Sequence, residues 1–201
     1  MGYDIYISQK PIDGREIVSI DGMEVVKPVQ IHSSIVVFAG RRYQEGKKGD
    51  AIVTDSKNLW VGVLTADCYS IFIIAERMVA AVHAGWRGTL KGITFKTIKY
   101  IQTFSEVEKV VVGPGICRNC YEVGYDVFKL FPRTVQSKIF TRKSDEKFLL
   151  DLKEANMIQI RSAGVKVVED LNFCTVCNND RFYSYRKEVT DKRILSAIRL
   201  I

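Results

Sequence analysis

The stretch "SIFIIAERMVAAVHA", Ser70 to Ala84, holds two apolar runs separated only by Glu76 and Arg77. Two such runs at a two-residue spacing read as the paired strands of a β-hairpin. Immediately upstream, "NLWVGVLTADCYSIFIIA" approaches the length of a membrane span, but Asp67 sits in its middle and "TADC" divides it into two strand-like runs. Buried strands are therefore expected here, and no membrane helix.

Outward from that hairpin the pattern continues as mixed α/β. "REIVSI" and "MEVVK" flank Asp21-Gly22, a dipeptide that tolerates positive φ and suits a tight turn. "IVVFAG", "DAIVTD" and "LWVGVLT" are further strand candidates, and a long helix is expected from about Gly88 to Phe104. A buried strand "KVVVGP" follows, then a helix from about Tyr121 to Phe131 and another from Asp151 to Ala163 that starts on Asp and stops at Gly164. "VKVVED" and "RILSAIRLI" read as closing strands, and "FPRTVQSKIFTRKSDEK" as a long surface connection. No repeat, low-complexity linker or domain boundary interrupts the chain, so residues 1–201 are expected to form one α/β domain.

The composition agrees. A chain of 201 residues with 47% hydrophobic content can bury a core, and the formal net charge of +7 favours anionic partners. The basic residues are scattered through "GRRYQEGKKGD", "FPRTVQSK" and "TRKSDEK", without the aromatic interleaving of a nucleic-acid groove. A phosphate-bearing small substrate fits that charge better than nucleic acid. The N-terminus lacks a basic region followed by an apolar run, so a cytoplasmic protein is expected.

Chemistry collects at strand ends. His32, His83 and Cys68 all border apolar β-like runs, and two His with one Cys form a three-ligand set for a transition metal, most naturally Zn²⁺, with a fourth position left for water. Such a metal lowers the pKa of bound water towards neutrality. The same atoms also suit a Cys68–His83 nucleophilic pair, with Asp67 or a backbone carbonyl orienting the ring. Either reading requires the strand ending at Cys68 to neighbour the one ending at His83. In "GWRGTLKG", Gly88 permits close backbone approach, Arg87 can make bidentate phosphate contacts, and a helix begins. No G-x-x-x-x-G-K-[ST] or G-x-G-x-x-G motif occurs. Cys117/Cys120 and Cys174/Cys177 form two C-x-x-C units that look like a four-cysteine zinc site, but their separation far exceeds the ~15–20 residues of a zinc ribbon; a structural zinc and a disulfide stand as alternatives, and reduced, unlinked thiols are expected.

Taken in order, "GDAIVTD", "TADCYSIFI", "AVHAGWRGTLKGI", "GPGICRNCYEVG", "DLKEANMIQIRSAGV" and "FCTVCNNDRFYSYRKE" closely resemble the YfiH-like, laccase-domain family. Its members were long labelled multicopper polyphenol oxidases and are now regarded as purine nucleoside phosphorylases that also deaminate adenosine and cleave methylthioadenosine. The resemblance implies an α/β/β/α sandwich and a catalytic metal, zinc with copper as the alternative, on His32, Cys68 and His83. This chain's only two histidines would then both be ligands. It also implies purine nucleosides and phosphate as small-molecule partners, with Arg87, Gly88 and Arg186 of "SYRKE" as phosphate-site candidates. Deamination would use metal-activated water against the purine ring, with Asp67 as support, although the H-x-E and P-C-x-x-C pattern of zinc deaminases is missing. A multicopper cluster rich in imidazole does not fit a chain with two histidines. Family members carry an N-terminal "T-x-R-x-G-G" stretch and an "N-R" pair near the active site. Neither occurs here, and the domain is expected to be N-terminally shortened.

Overall fold

The computed structural model describes residues 2–40, 43 and 45–201; Arg41 and Arg42 of the first basic run lie outside the described residues. Among the described residues fourteen strands and six α-helices follow one another in a mixed α/β order. Two strands dominate: β7 (Tyr69–Ala75) and β8 (Val79–Ala84), every residue of which is buried. They pair antiparallel with Ser70 opposite His83, and the Ala75 N–H donates to the Met78 carbonyl across the Glu76-Arg77 turn.

A strand buried on both faces needs apolar residues at every position, which is why these runs show no polar alternation. Their alternate side chains enter two different cores. Phe72, Ile74, Val79 and Ala81 join one cluster, while Ile71, Ile73, Ala80 and Val82 join another. The hairpin sits at the centre of a six-stranded sheet ordered β13-β9-β7-β8-β5-β4, where β4 is Val36–Phe38, β5 is Ala51–Thr54, β9 is Val107–Val112 and β13 is Val168–Asp170.

The face bearing Phe72 packs on a five-stranded sheet of order β1-β14-β6-β3-β2, whose strands are β1 (Tyr3–Ile7), β2 (Ser19–Ile20), β3 (Met23–Val26), β6 (Trp60–Thr65) and β14 (Ile194–Leu200). The opposite face carries α2 (Ile93–Gln102) and α5 (Leu152–Ser162) through Ile93, Ile98, Ile101, Leu152 and Ile160. The outer face of the five-stranded sheet holds a smaller cluster around Trp60, Leu195 and Ala197. The Asp21-Gly22 turn is present, with both residues at positive φ between β2 and β3.

Three local expectations are corrected. The helix expected from Gly88 to Phe104 is two helices, α1 (Trp86–Leu90) and α2, because Gly92 takes φ +79° and turns the chain between them. Within the expected helix Tyr121–Phe131, Glu122–Gly124 instead forms β10, which pairs with β12 (Lys147–Leu150), and only α3 (Tyr125–Phe128) is helical. The expected surface connection carries α4 (Arg133–Ile139) and β11 (Phe140–Arg142), which completes that small sheet around stacked Phe128 and Phe148. Helix α5 keeps its expected ends, with Asp151 accepting from the Glu154 N–H and Gly164 at φ +87°.

Candidate metal centre and active-site cavity

His32, Cys68 and His83 meet at one end of the central hairpin, with ligand atoms all within 4.8 Å of one another. Cys68 immediately precedes β7, so the strand beside β8 is the one that follows Cys68 and not the one that leads to it, β6, which belongs to the other sheet.

One buried carboxylate organises two of the three. Asp50, fully buried just before β5, places Oδ1 2.9 Å from His83 Nδ1 and also accepts the His32 N–H at 3.0 Å. Its Oδ2 accepts the Ser33 N–H at 2.6 Å, the Ser33 hydroxyl at 2.7 Å and the Ile31 N–H at 3.3 Å. Burial alone would raise the Asp50 pKa, but the His83 and Ser33 hydrogen bonds outweigh it and hold the group well below the usual carboxylate range. An ionised Asp50 accepts only, so Nδ1 of His83 carries a proton and Nε2 is the nitrogen left for the site.

The backbone N–H bonds to Asp50 also hold the 31–33 turn, in which His32 sits at φ +55°, an uncommon conformation for a residue with a side chain. Gln30 fixes the approach to that turn: its amide donates to the Leu64 carbonyl at 2.8 Å and accepts the Leu64 N–H at 2.7 Å, imitating a strand partner for β6.

Cys68 is surrounded by these imidazoles. Burial would raise its pKa, but the charge of His83 and hydrogen bonds from both histidines bring the thiol down to about 6. Burial likewise opposes the charge on His83, but the Cys68 thiolate and Asp50 raise it to about 9. The donor set of two imidazoles and one thiolate fits a transition metal with one position open. Gly85 makes room for the Cys68 sulfur: a Cβ there would lie 2.7 Å from Sγ, although the backbone, at φ −77° and ψ 167°, makes no demand for glycine.

The cluster opens into a cavity of about 780 Å³, large enough for a nucleoside-sized ligand. Arg15, Arg87, Arg186 and Arg193 line it, against the carboxylates of Asp67 and Asp191. The Arg87 guanidinium lies 4.3 Å from the Trp86 ring centre and that of Arg186 lies 5.2 Å from Tyr121, so both cations stack on aromatic walls. Arg186 also donates to the Glu122 carbonyl at 2.8 Å.

The remaining expected site residues fall in two places. Asp67 lines the cavity at φ +94°, but its oxygens are engaged: Oδ1 accepts the Thr175 and Ser184 hydroxyls, each at 2.7 Å, and Oδ2 accepts the Arg186 N–H at 2.6 Å. Asp50, and not Asp67, orients the His83 ring. Gly88 faces away from the cavity, where an added Cβ would meet the Ser33 carbonyl at 2.9 Å. Helix α1 is only five residues long, so its dipole adds little and the positive charge facing the cavity comes from the arginine side chains. Asp50, Arg15, Arg193 and Tyr121 escaped sequence reasoning. The "GD" before "AIVTD" is the only local trace of Asp50, and the other three carry no spacing signal.

Residues 14–201 match the family model described as multicopper polyphenol oxidoreductase laccase, and the chain belongs to that family. A purine nucleoside phosphorylase of Aquifex aeolicus is 32% identical over 176 residues, covering 87% of this chain and 82% of the relative. Adenosine deaminase RL5, from an unknown prokaryotic organism, is 29% identical over 189 residues, covering 84% and 71%. The crystal structure of Bacillus licheniformis YfiH superposes with a TM-score of 0.81 at 27% identity, over 88% of this chain and 74% of that one. No helix among the described residues is long and apolar enough to cross a membrane.

Proposed function

We propose that this chain is a cytoplasmic zinc enzyme of purine nucleosides, catalysing phosphorolysis of adenosine, inosine and methylthioadenosine and deamination of adenosine. The observation that carries the reading is the His32–Cys68–His83 donor cluster opening on an arginine-lined cavity. Relatives named purine nucleoside phosphorylase and adenosine deaminase support the substrate class.

Zinc suits three nitrogen and sulfur donors with an open fourth position, and when bound it supplies Lewis acidity and activates water. Asp50 holds His83 in the tautomer that ligation needs and holds the turn carrying His32. Arg87 and Arg186, pinned on Trp86 and Tyr121, hold phosphate beneath the ribose, and Arg15 and Arg193 add positive charge to the same wall. Asp67 acts as a positioning residue that fixes the start of the segment bearing Arg186. Copper is the alternative occupant, since two His and one Cys also occur in copper sites.

A second reading has a specific observation in its favour. The lowered thiol of Cys68 beside the raised imidazole of His83 would supply the thiolate–imidazolium pair that a cysteine hydrolase needs. Incubation with adenosine, inosine and methylthioadenosine, with and without phosphate, followed by mass spectrometry, separates the two. Phosphate-dependent release of free base, abolished by a chelator, is the expected result. Turnover that survives the chelator and is lost on alkylation of Cys68 would replace the zinc reading with the hydrolase.

A further inference from the structure

Four cysteines outside the cavity come together although the sequence separates them widely. Cys117, Cys120, Cys174 and Cys177 place their sulfurs within 4.8 Å of one another, and all four are free thiols. The two C-x-x-C turns are brought face to face by backbone pairing. Gly115 forms a parallel bridge with Cys174, the Gly115 N–H donates to the Phe173 carbonyl at 3.1 Å, and the Thr175 N–H donates to the Gly115 carbonyl at 3.2 Å. Gly115 lets this segment pack against β7, since a Cβ there would lie 2.4 Å from the Tyr69 ring.

The spacing leaves room for one tetrahedrally held ion. With zinc–sulfur bonds of about 2.3 Å, the edge between two ligating sulfurs is about 3.8 Å. Cys120 and Cys177 stand 3.6 Å apart. The Cys117 N–H donates to Cys174 Sγ at 3.3 Å, a backbone contact that stabilises a thiolate once formed. Each turn is also closed on itself, by the Cys120 N–H to the Cys117 carbonyl at 3.1 Å and by the Asn178 N–H to the Cys174 carbonyl at 2.8 Å.

We propose that these four cysteines form a second, structural metal site that binds one Zn²⁺ as a closed tetrathiolate. Its position gives it a purpose. Ile116 and Tyr121, which flank the first turn, line the cavity, and Thr175 in the second turn donates to Asp67. The Ile116 N–H also donates to the Asp67 carbonyl at 2.8 Å. Zinc at this point ties together the two segments that build one wall of the cavity, and it takes no part in the chemistry there.

The test is elemental analysis of the full chain purified from zinc-replete cells, for wild type, for Cys177→Ser, and for His32→Ala combined with Cys68→Ala. Cobalt substitution adds a spectrum, because a four-sulfur site gives stronger thiolate-to-cobalt charge transfer than a site with one sulfur. Two zinc ions are expected per wild-type chain and one in each variant, with the four-sulfur spectrum kept in the double variant and lost in Cys177→Ser. One zinc per wild-type chain, lost in Cys177→Ser but kept in the double variant, would support this site and sink the first. One zinc per chain that survives Cys177→Ser with no four-sulfur spectrum would overturn the proposal. So would an intact mass lower by two hydrogens for each bridge, the sign of disulfides. Wild-type stoichiometry and the cobalt spectrum decide the question even if a variant fails to fold.

Discussion

Asp50→Asn changes almost no volume and tests the organisation of the proposed metal centre at His32, Cys68 and His83. In the native protein Oδ1 serves His83 Nδ1 and the His32 N–H, while Oδ2 serves the Ser33 N–H, the Ser33 hydroxyl and the Ile31 N–H. An amide has one oxygen, so whichever way it turns, its NH₂ faces two or three donors that have lost their acceptor. At about 1–3 kcal/mol per orphaned buried donor, and with the Ser33 hydroxyl free to rotate, the metal-free protein should lose about 2–4 kcal/mol. If the amide NH₂ faces His83, the ring can satisfy it only by accepting at Nδ1, which moves the proton to Nε2 and blocks ligation. Disturbing a residue that orients a ligand typically costs about 10–100-fold in metal affinity, and that range is expected here. Urea unfolding of metal-free protein measures the first quantity, and competition with a chromogenic chelator measures the second. A variant within about 0.5 kcal/mol of wild type and unchanged in zinc affinity would refute the role assigned to Asp50.

Gly85→Ala places a methyl 2.7 Å from Cys68 Sγ in a backbone conformation any residue can adopt, so zinc affinity should fall at least tenfold while the circular dichroism spectrum stays native. Arg87→Ala and Arg186→Ala should each raise the KM for phosphate about tenfold or more with a smaller effect on nucleoside KM; an unchanged phosphate KM in both would remove them from the phosphate site. Burial would raise the Asp13 pKa, but hydrogen bonds from Arg15 and the Arg193 N–H outweigh it and hold the carboxyl below its usual value. A lowered folded-state pKa contributes stability above the unfolded carboxylate pKa of about 3.9, and that contribution is lost as pH falls through the folded value. Asp13→Asn should therefore be less stable than wild type at neutral pH and converge with it in acid; a gap that stays constant with pH would contradict this.

Much of the fold was legible because its strands carry strong local signals. The Ser70–Ala84 hairpin was readable from two continuous apolar runs and a two-residue turn, and α5 from Asp151 and Gly164 at its ends. Helical periodicity is a weaker guide where a glycine interrupts it or a distant strand competes for the segment. Gly92 splits a run that otherwise reads as one helix, and the strand at Glu122–Gly124 exists only because β12 arrives to pair with it. At the site, His32, Cys68 and His83 stood out by rarity and by their places beside strands. Asp50 did not, since a single aspartate before a strand has no pattern until the fold brings it to His83. The two C-x-x-C units were visible as pairs but not as one cluster, because parallel bridging of Gly115 with Cys174 is a tertiary event.

The proposed function requires that a metal on His32, Cys68 and His83 runs purine nucleoside chemistry. Wild-type protein stripped of metal by a chelator and reloaded with zinc in measured steps, assayed after each step for phosphate-dependent base release from adenosine and for inosine, tests it most directly. Activity is expected to be absent after stripping and to return with zinc, and His83→Ala is expected never to recover it under the same titration. Full activity in the stripped protein, or equal recovery by His83→Ala, would contradict the claim.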